Sequence, residues 1–267
     1  MSPGLFLSAT SAGSFSGAII DCRFALGDPQ AGANDYVRGH IPGAVYLDLN
    51  RDMSGPVGPH GGRHPLPSPG QFAAGLAERG IGLSTPVLLY DDSRYAFAAR
   101  CWWMMRALGY QSVQLLAGGF SAWLGQGGVP ETTPQARQSC AVPVVADDWP
   151  RCCTREELAD LQGAGAVLVD AREEKRYRGE EESIDPLAGH IPGAHNLPWQ
   201  GFSDSDGLLL GDTALRERWG ELGDASPLVV YCGSGVSACV NILSLAAIGR
   251  DDVWLYGGSW SDWCSYL

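Results

Sequence analysis

The sequence predicts an α/β protein made of two tandem copies of one domain, each a parallel sheet flanked by helices on both faces. Three observations carry this. The string Gly39-His40-Ile41-Pro42-Gly43-Ala44 recurs word for word as Gly189-His190-Ile191-Pro192-Gly193-Ala194, and a repeat of domain length outranks any local reading. Its flanks match in the same order. Ile19-Ile20-Asp21-Cys22-Arg23 pairs with Leu168-Val169-Asp170-Ala171-Arg172, and Leu88-Leu89-Tyr90-Asp91 with Val229-Val230-Tyr231-Cys232. Further on, Ala107-Leu108-Gly109 pairs with Ala247-Ile248-Gly249, and Gly118-Gly119 with Gly257-Gly258. Finally, short apolar β-branched runs alternate with helical patterns in each copy, as in a sheet covered on both sides.

Taken in order, residues 18–20, 87–90 and 113–116 read as buried strands of the first copy, and 167–169, 228–231 and 253–256 as those of the second. Helices are expected over 96–108 and 237–248, each stopping before a glycine, Gly109 or Gly249, that can cap it. The stretch between the copies is rich in Gly and Pro, including Pro130, Pro134, Pro143 and Pro150. It reads as a linker wrapped over the surface. The expected division is residues 1–126 for the first domain, 127–150 for the linker and 151–267 for the second domain.

Composition narrows the partners. With 30 acidic against 18 basic residues the net charge is -12, which argues against nucleic acid. No apolar stretch approaches the ~20 residues of a membrane span. The first basic residue is Arg23, so the N-terminus lacks the positive region of a secretory signal. The eight cysteines form no Cys-x-x-Cys pair. Reduced thiols and a cytoplasmic location are therefore expected, with no metal and no cofactor.

The chemistry is expected at Cys232-Gly233-Ser234-Gly235-Val236-Ser237, where a strand passes through a loop of small residues into a helix. The amides of such a loop and helix start favour a negative charge. They therefore favour a thiolate, the form in which cysteine is a nucleophile, and a persulfide anion equally. Gly233 and Gly235 leave the amides uncovered, Val236 completes the turn, and Ser234 and Ser237 add hydroxyls. A purely structural cysteine needs none of this. The first copy has Asp91 where the second has Cys232, so its site is expected to be catalytically empty and to serve packing.

Two tandem copies, the active cysteine only in the second, the string Cys-Gly-Ser-Gly-Val-Ser-Ala and the terminal Tyr256-Gly-Gly-Ser-Trp-Ser-Asp-Trp263 resemble the two-domain rhodanese family. The loop looks like that of its 3-mercaptopyruvate sulfurtransferase branch. The resemblance implies two rhodanese-like domains and a double displacement. Cys232 would take sulfur from a small donor as a persulfide and pass it to cyanide, a low-molecular-weight thiol or a protein thiol such as thioredoxin. It also implies that Ser234 works with a histidine and an aspartate from the first domain. His40 fits that histidine, although the matching place of His190 suits a structural role as well, and Asp28 fits the aspartate, with Asp35 the other choice. Arg176 matches the first of two arginines that hold the donor's carboxylate. The second is missing from an acidic stretch holding Glu180, Glu181, Glu182 and Asp185, which leaves Arg178 to substitute. Arg23 and Arg172 follow their strands in both copies and read as structural.

Three rival readings stand beside this one. A thiosulfate:cyanide sulfurtransferase would want cations in the loop, where Gly233 and Ser234 offer only dipoles. A cysteine phosphatase needs an arginine closing the loop, and none stands among the residues from Gly233 to Cys239. A non-enzymatic persulfide carrier would show no turnover with small donors.

Overall fold

In a computed structural model the protein is described over residues 4–135 and 137–267. The first domain carries strands β1 (Phe6–Leu7), β2 (Ala18–Asp21), β3 (Ala44–Tyr46), β4 (Val87–Tyr90) and β5 (Val113–Leu116). Helices α1 (Ala31–Arg38), α2 (Pro69–Glu78), α3 (Ala98–Ala107) and α4 (Gly119–Gly125) connect them. The second domain repeats the pattern with β6 (Cys152–Cys153), β7 (Val167–Asp170), β8 (Ala194–Asn196), β9 (Leu228–Tyr231) and β10 (Trp254–Tyr256). Its helices are α5 (Arg155–Gly163), α6 (Glu174–Tyr177), α7 (Asp212–Trp219), α8 (Ala238–Ala247) and α9 (Ser259–Trp263). Both sheets are parallel, ordered β1-β5-β4-β2-β3 and β6-β10-β9-β7-β8. None of the described helices is long and apolar enough to cross a membrane.

The sequence revealed three strands per copy; the structure adds β1, β3, β6 and β8, the first and last strands of each sheet. Each has two or three residues, too short to show a period. The helix starts obey local chemistry. Ser68 and Gln71 close a capping box on α2, with Pro69 just inside it, and Thr154 and Glu157 do the same for α5.

The repeated Asp-x-Arg and Gly-His-Ile-Pro-Gly-Ala strings are one device used twice. Arg23 grips the carboxylate of Asp21 and donates to the carbonyl of Gly39. Arg172 does the same with Asp170 and Gly189. Each buried guanidinium is thus paired and ties its strand end to the repeated turn.

Helix α8 is buried along its whole length, as befits a helix that is apolar all round. It packs against α3 of the first domain, and one apolar core joins the two domains, including Cys101, Trp102 and Met105 on one side and Val240, Leu243 and Ala247 on the other. Each large apolar side chain fully buried there contributes about 1.5–3 kcal/mol. The segment after α4 lies against the first domain. Glu131 exchanges backbone hydrogen bonds with His40, and the Trp149 indole donates to Pro67 O at 2.7 Å and packs on Phe72 and Trp103.

Candidate active site

Cys232 leaves the C-terminal end of β9, the end where open parallel sheets place their sites. Its N–H donates to Ser259 Oγ and its carbonyl accepts from Trp260 N–H. The backbone N–H groups from Gly233 to Ser237 find no acceptor among the described residues, so they stand ready for an anion. Gly235 makes the curl possible. Its φ is +75°, and a Cβ there would sit 2.2 Å from Gly257 O.

The first copy shows what such a curl accommodates. Asp91, fully buried, places Oδ1 on the amides of Ser93 and Tyr95 and Oδ2 on those of Phe97 and Ala98, at 2.9–3.1 Å. Burial pushes its carboxyl up, and the four amides pull it down. Four donors need four lone pairs, so the ionised form is the one that fits. Here the chain's own carboxylate fills the anion cradle. Asp91→Asn turns one of those oxygens into a donor facing other donors. It is expected to cost about 3 kcal/mol of unfolding free energy, measured by urea titration, without changing the Cys232 loop.

A cavity of about 560 Å³ opens above Cys232 between the domains. Cys232, Gly233, Ser234, Val236 and Ser237 line one side, and Phe24, Phe97 and Trp199 form apolar walls. Gly235 lies behind the loop, where its carbonyl accepts from Arg100 Nη1 at 2.9 Å.

Two sequence expectations are corrected by the fold. His40 does not face the loop. It is fully buried in the first domain, its Nδ1 lies 2.8 Å from Tyr36 O and its ring stacks on Tyr36 at 4.0 Å. His190 makes the same bond and the same stack with Tyr177, so the repeated histidine braces the repeated turn. Asp28 is exposed and caps a turn through Gln30 N–H, while Asp35 pairs with Arg38 on α1. The histidine that reaches Ser234 is His64, with Nδ1 2.9 Å from Ser234 Oγ. No carboxylate bonds its ring among the described residues. Burial, with the charges of Arg100 and Arg63, pushes His64 down to about 4, so its imidazole is neutral at pH 7.

Arg178 is also corrected. It is exposed, paired with Glu174 and Glu180, and lines no part of the cavity. Arg176 does line it, and Arg63 of the first domain stands beside it. A Cβ on Gly233 would sit 3.0 Å from Arg63 Nη2 and 3.5 Å from Arg176 Nη1. The loop carries no basic residue, yet two guanidinium groups flank it. The acidic stretch holds them in place: Arg176 pairs with Glu182 at 2.8 Å and Asp185 at 3.0 Å, and Arg63 pairs with Asp185. Both carboxylates are nearly inaccessible.

The rhodanese-like domain family matches residues 5–126 and again 154–266, one match over each of the two sheet-bearing halves, the second starting just after β6. The chain belongs to the rhodanese family and is a sulfurtransferase. A probable 3-mercaptopyruvate sulfurtransferase of Pseudomonas aeruginosa is 43% identical over 254 residues, covering 92% of this chain and 88% of that one. A putative thiosulfate sulfurtransferase, SseB, of Mycobacterium tuberculosis is 41% identical over 251 residues, covering 93% and 88%. Among solved structures, the 3-mercaptopyruvate sulfurtransferase SseA of Escherichia coli superposes with a TM-score of 0.84 at 31% identity, covering 96% of this chain and 98% of that one.

In this rhodanese, sequence reasoning missed Arg63, His64 and Arg100. Arg63 and His64 lie in a Gly- and Pro-rich loop within the stretch that the second copy shortens, so no repeat points to them. Arg100 lies on an otherwise apolar helix that also carries the exposed Arg106, and a charge beside the tryptophans and methionines was the available signal.

Proposed function

We propose that this rhodanese takes its sulfur from 3-mercaptopyruvate, with Cys232 as nucleophile and Ser234 and His64 as the proton-handling pair. The observation that carries the donor is the Ser234–His64 contact beside Cys232. A neutral ring with its proton on Nε2 accepts at Nδ1 from the Ser234 hydroxyl. That pairing serves a donor whose product must be protonated. The Cys232 thiolate attacks the donor sulfur and the C–S bond breaks. Its electron pair enters the enolate of pyruvate, the donor's S–H proton passes through the Ser234 hydroxyl to Nδ1 of the neutral His64 ring and back to the enolate carbon, and the sulfur stays on Cys232 as a persulfide anion. Cleaving thiosulfate releases sulfite and leaves no carbanion to protonate. The free amides of the loop face the persulfide anion. A thiol acceptor or cyanide then attacks the terminal sulfur and returns the Cys232 thiolate.

Arg176 and Arg63 are proposed to hold the donor's carboxylate, the second arginine coming from the first domain. Arg176→Gln and Arg63→Gln are each expected to raise KM for 3-mercaptopyruvate about tenfold, as for losing one charged contact, with kcat less affected. Equal losses with an uncharged donor would remove this assignment. The donor itself is tested by thiocyanate formation. A higher kcat/KM with thiosulfate than with 3-mercaptopyruvate would overturn it and favour the activity named for the Mycobacterium tuberculosis relative.

A further inference from the structure

Arg100 is the one fully buried arginine of the described residues, and its surroundings are unlike those of the other arginines sealed in the interior. Arg23 and Arg172 each grip an aspartate. Arg100 meets no carboxylate among the described ion pairs. From α3 in the first domain it reaches across the interface, donating through Nη1 to Gly235 O at 2.9 Å and through Nη2 to His64 O at 3.2 Å. Its Nε has no acceptor. Burial pushes the guanidinium down, but an arginine stays protonated in proteins. A buried unpaired charge is costly and is retained where something anionic offsets it. A chain with 30 acidic residues offers none of them here.

The side chains around the Arg100 guanidinium are thiols: Cys239 first, which also takes a hydrogen bond from it, then Cys152 and Cys232. Burial pushes Cys239 up to about 12 and Cys152 up to about 11, so both stay neutral thiols. That leaves the sulfur on Cys232, at the head of the loop whose Gly235 Arg100 holds. On the cavity side Cys232 shares its surroundings with Arg63, Arg172, Arg176, Glu173 and Glu181, Arg172 being held by Asp170, and His64 is one hydrogen bond away through Ser234. Arg63 and Arg176 are already matched by Asp185 and Glu182. Arg63 also acts on the Cys232 sulfur, and of Arg63, Arg176 and Arg100 it is Arg100 that has no carboxylate partner among the described ion pairs.

We infer that Arg100 is a positioning residue for sulfur transfer: a first-domain cation that fixes the carbonyls of Gly235 and His64 in register and supplies the counter-charge for the sulfur anion on Cys232. The inference rests on the reading of Cys232 as the sulfur carrier. Its test is read on the unloaded thiol, so the two can fail separately.

The experiment compares Arg100→Gln, which keeps hydrogen-bond donors without charge, and Arg100→Lys, which keeps the charge without the fork. Both are made in the full chain, and Cys232 alkylation by iodoacetamide is followed from pH 5 to 9. Arg100→Gln is expected to move the rise in alkylation about one pH unit upward and to lower kcat about a hundredfold with little change in KM. Arg100→Lys is expected to keep the wild-type alkylation profile while losing part of kcat. Identical alkylation profiles in wild type and both variants would overturn the counter-charge and leave Arg100 a structural pin. If Arg100→Gln does not fold, the wild type decides. In ¹⁵N-arginine-labelled protein the Arg100 Nε–H resonance, identified by its loss in Arg100→Lys, is expected to shift when Cys232 is persulfidated, and an unmoved resonance would overturn the inference.

Discussion

Replacing Cys232 with alanine is expected to lower sulfur transfer by about four orders of magnitude or more, to background, while the protein still folds. Cys232 is buried, but its packing is not what commits the fold. The strand before it and the helix after it are held by the sheet and by the interface with α3. A sulfur-to-hydrogen change at a loop facing a cavity costs about 1 kcal/mol. Intact mass after exposure to the donor reads the step directly. The wild type should gain one sulfur, about 32 Da, as a persulfide, with the extra mass on the peptide containing Cys232, and the variant should gain nothing. Seven other cysteines remain, and those with resolved shifts are held as thiols by burial. Retained turnover in Cys232→Ala would sink the central claim.

The second large effect is expected at His64. His64→Ala and Ser234→Ala should each lower kcat with 3-mercaptopyruvate by about 10²–10³, within the range of a positioned acid–base group. The double variant should be no worse than either alone, because the two act as one unit. His40→Ala should leave kcat within a few-fold and act on stability, since its ring braces Tyr36 and the repeated turn. The pH dependence has a definite sign. Burial and two arginines hold His64 down near pH 4, so the ring stays neutral and able to accept from pH 5 upward. Activity through this pair should fall only as the pH drops toward 4, where the ring gains a proton and loses its lone pair at Nδ1. A loss of activity centred near 6.5, the ordinary histidine value, that vanishes in His64→Ala would contradict the buried, arginine-flanked ring.

The contrast between His40 and His64 explains how far the sequence could be read. The architecture was legible because each copy repeats the residues its sheet needs. Asp21 with Arg23 and Asp170 with Arg172 lock strand ends, and His40 and His190 brace turns. Repetition therefore marks what folding requires, and it drew attention to His40, whereas the histidine that contacts Ser234 is His64. The chemistry sits where the copies differ. Asp91 and Cys232 occupy one position with opposite consequences, and Arg63 and His64 lie in a loop with no repeated string. The second arginine, missing from the acidic stretch after Arg176, is matched in space by Arg63. No spacing rule reaches across two domains. The acidic stretch from Glu180 to Asp185, which lacks that second arginine, includes the two carboxylates that anchor Arg176 and Arg63.

The loop that brings these residues to Cys232 meets it backbone to backbone. Gly62 adopts a φ of +83°, and a Cβ there would lie 2.5 Å from Gly258 O; Gly61 N–H donates to Asp262 Oδ1 and Arg63 N–H to Ser261 Oγ. The contact leaves no room for a side chain and little for sliding. On the assignment proposed above neither half of this chain owns a complete catalytic centre: one contributes the sulfur and its cradle, the other the imidazole and two of the guanidinium groups. A fragment of the second half alone would keep its nucleophile and lose its chemistry. Activity is thus expected to report assembly, since a change that shifts one half against the other moves the proposed imidazole and guanidinium groups away from the sulfur.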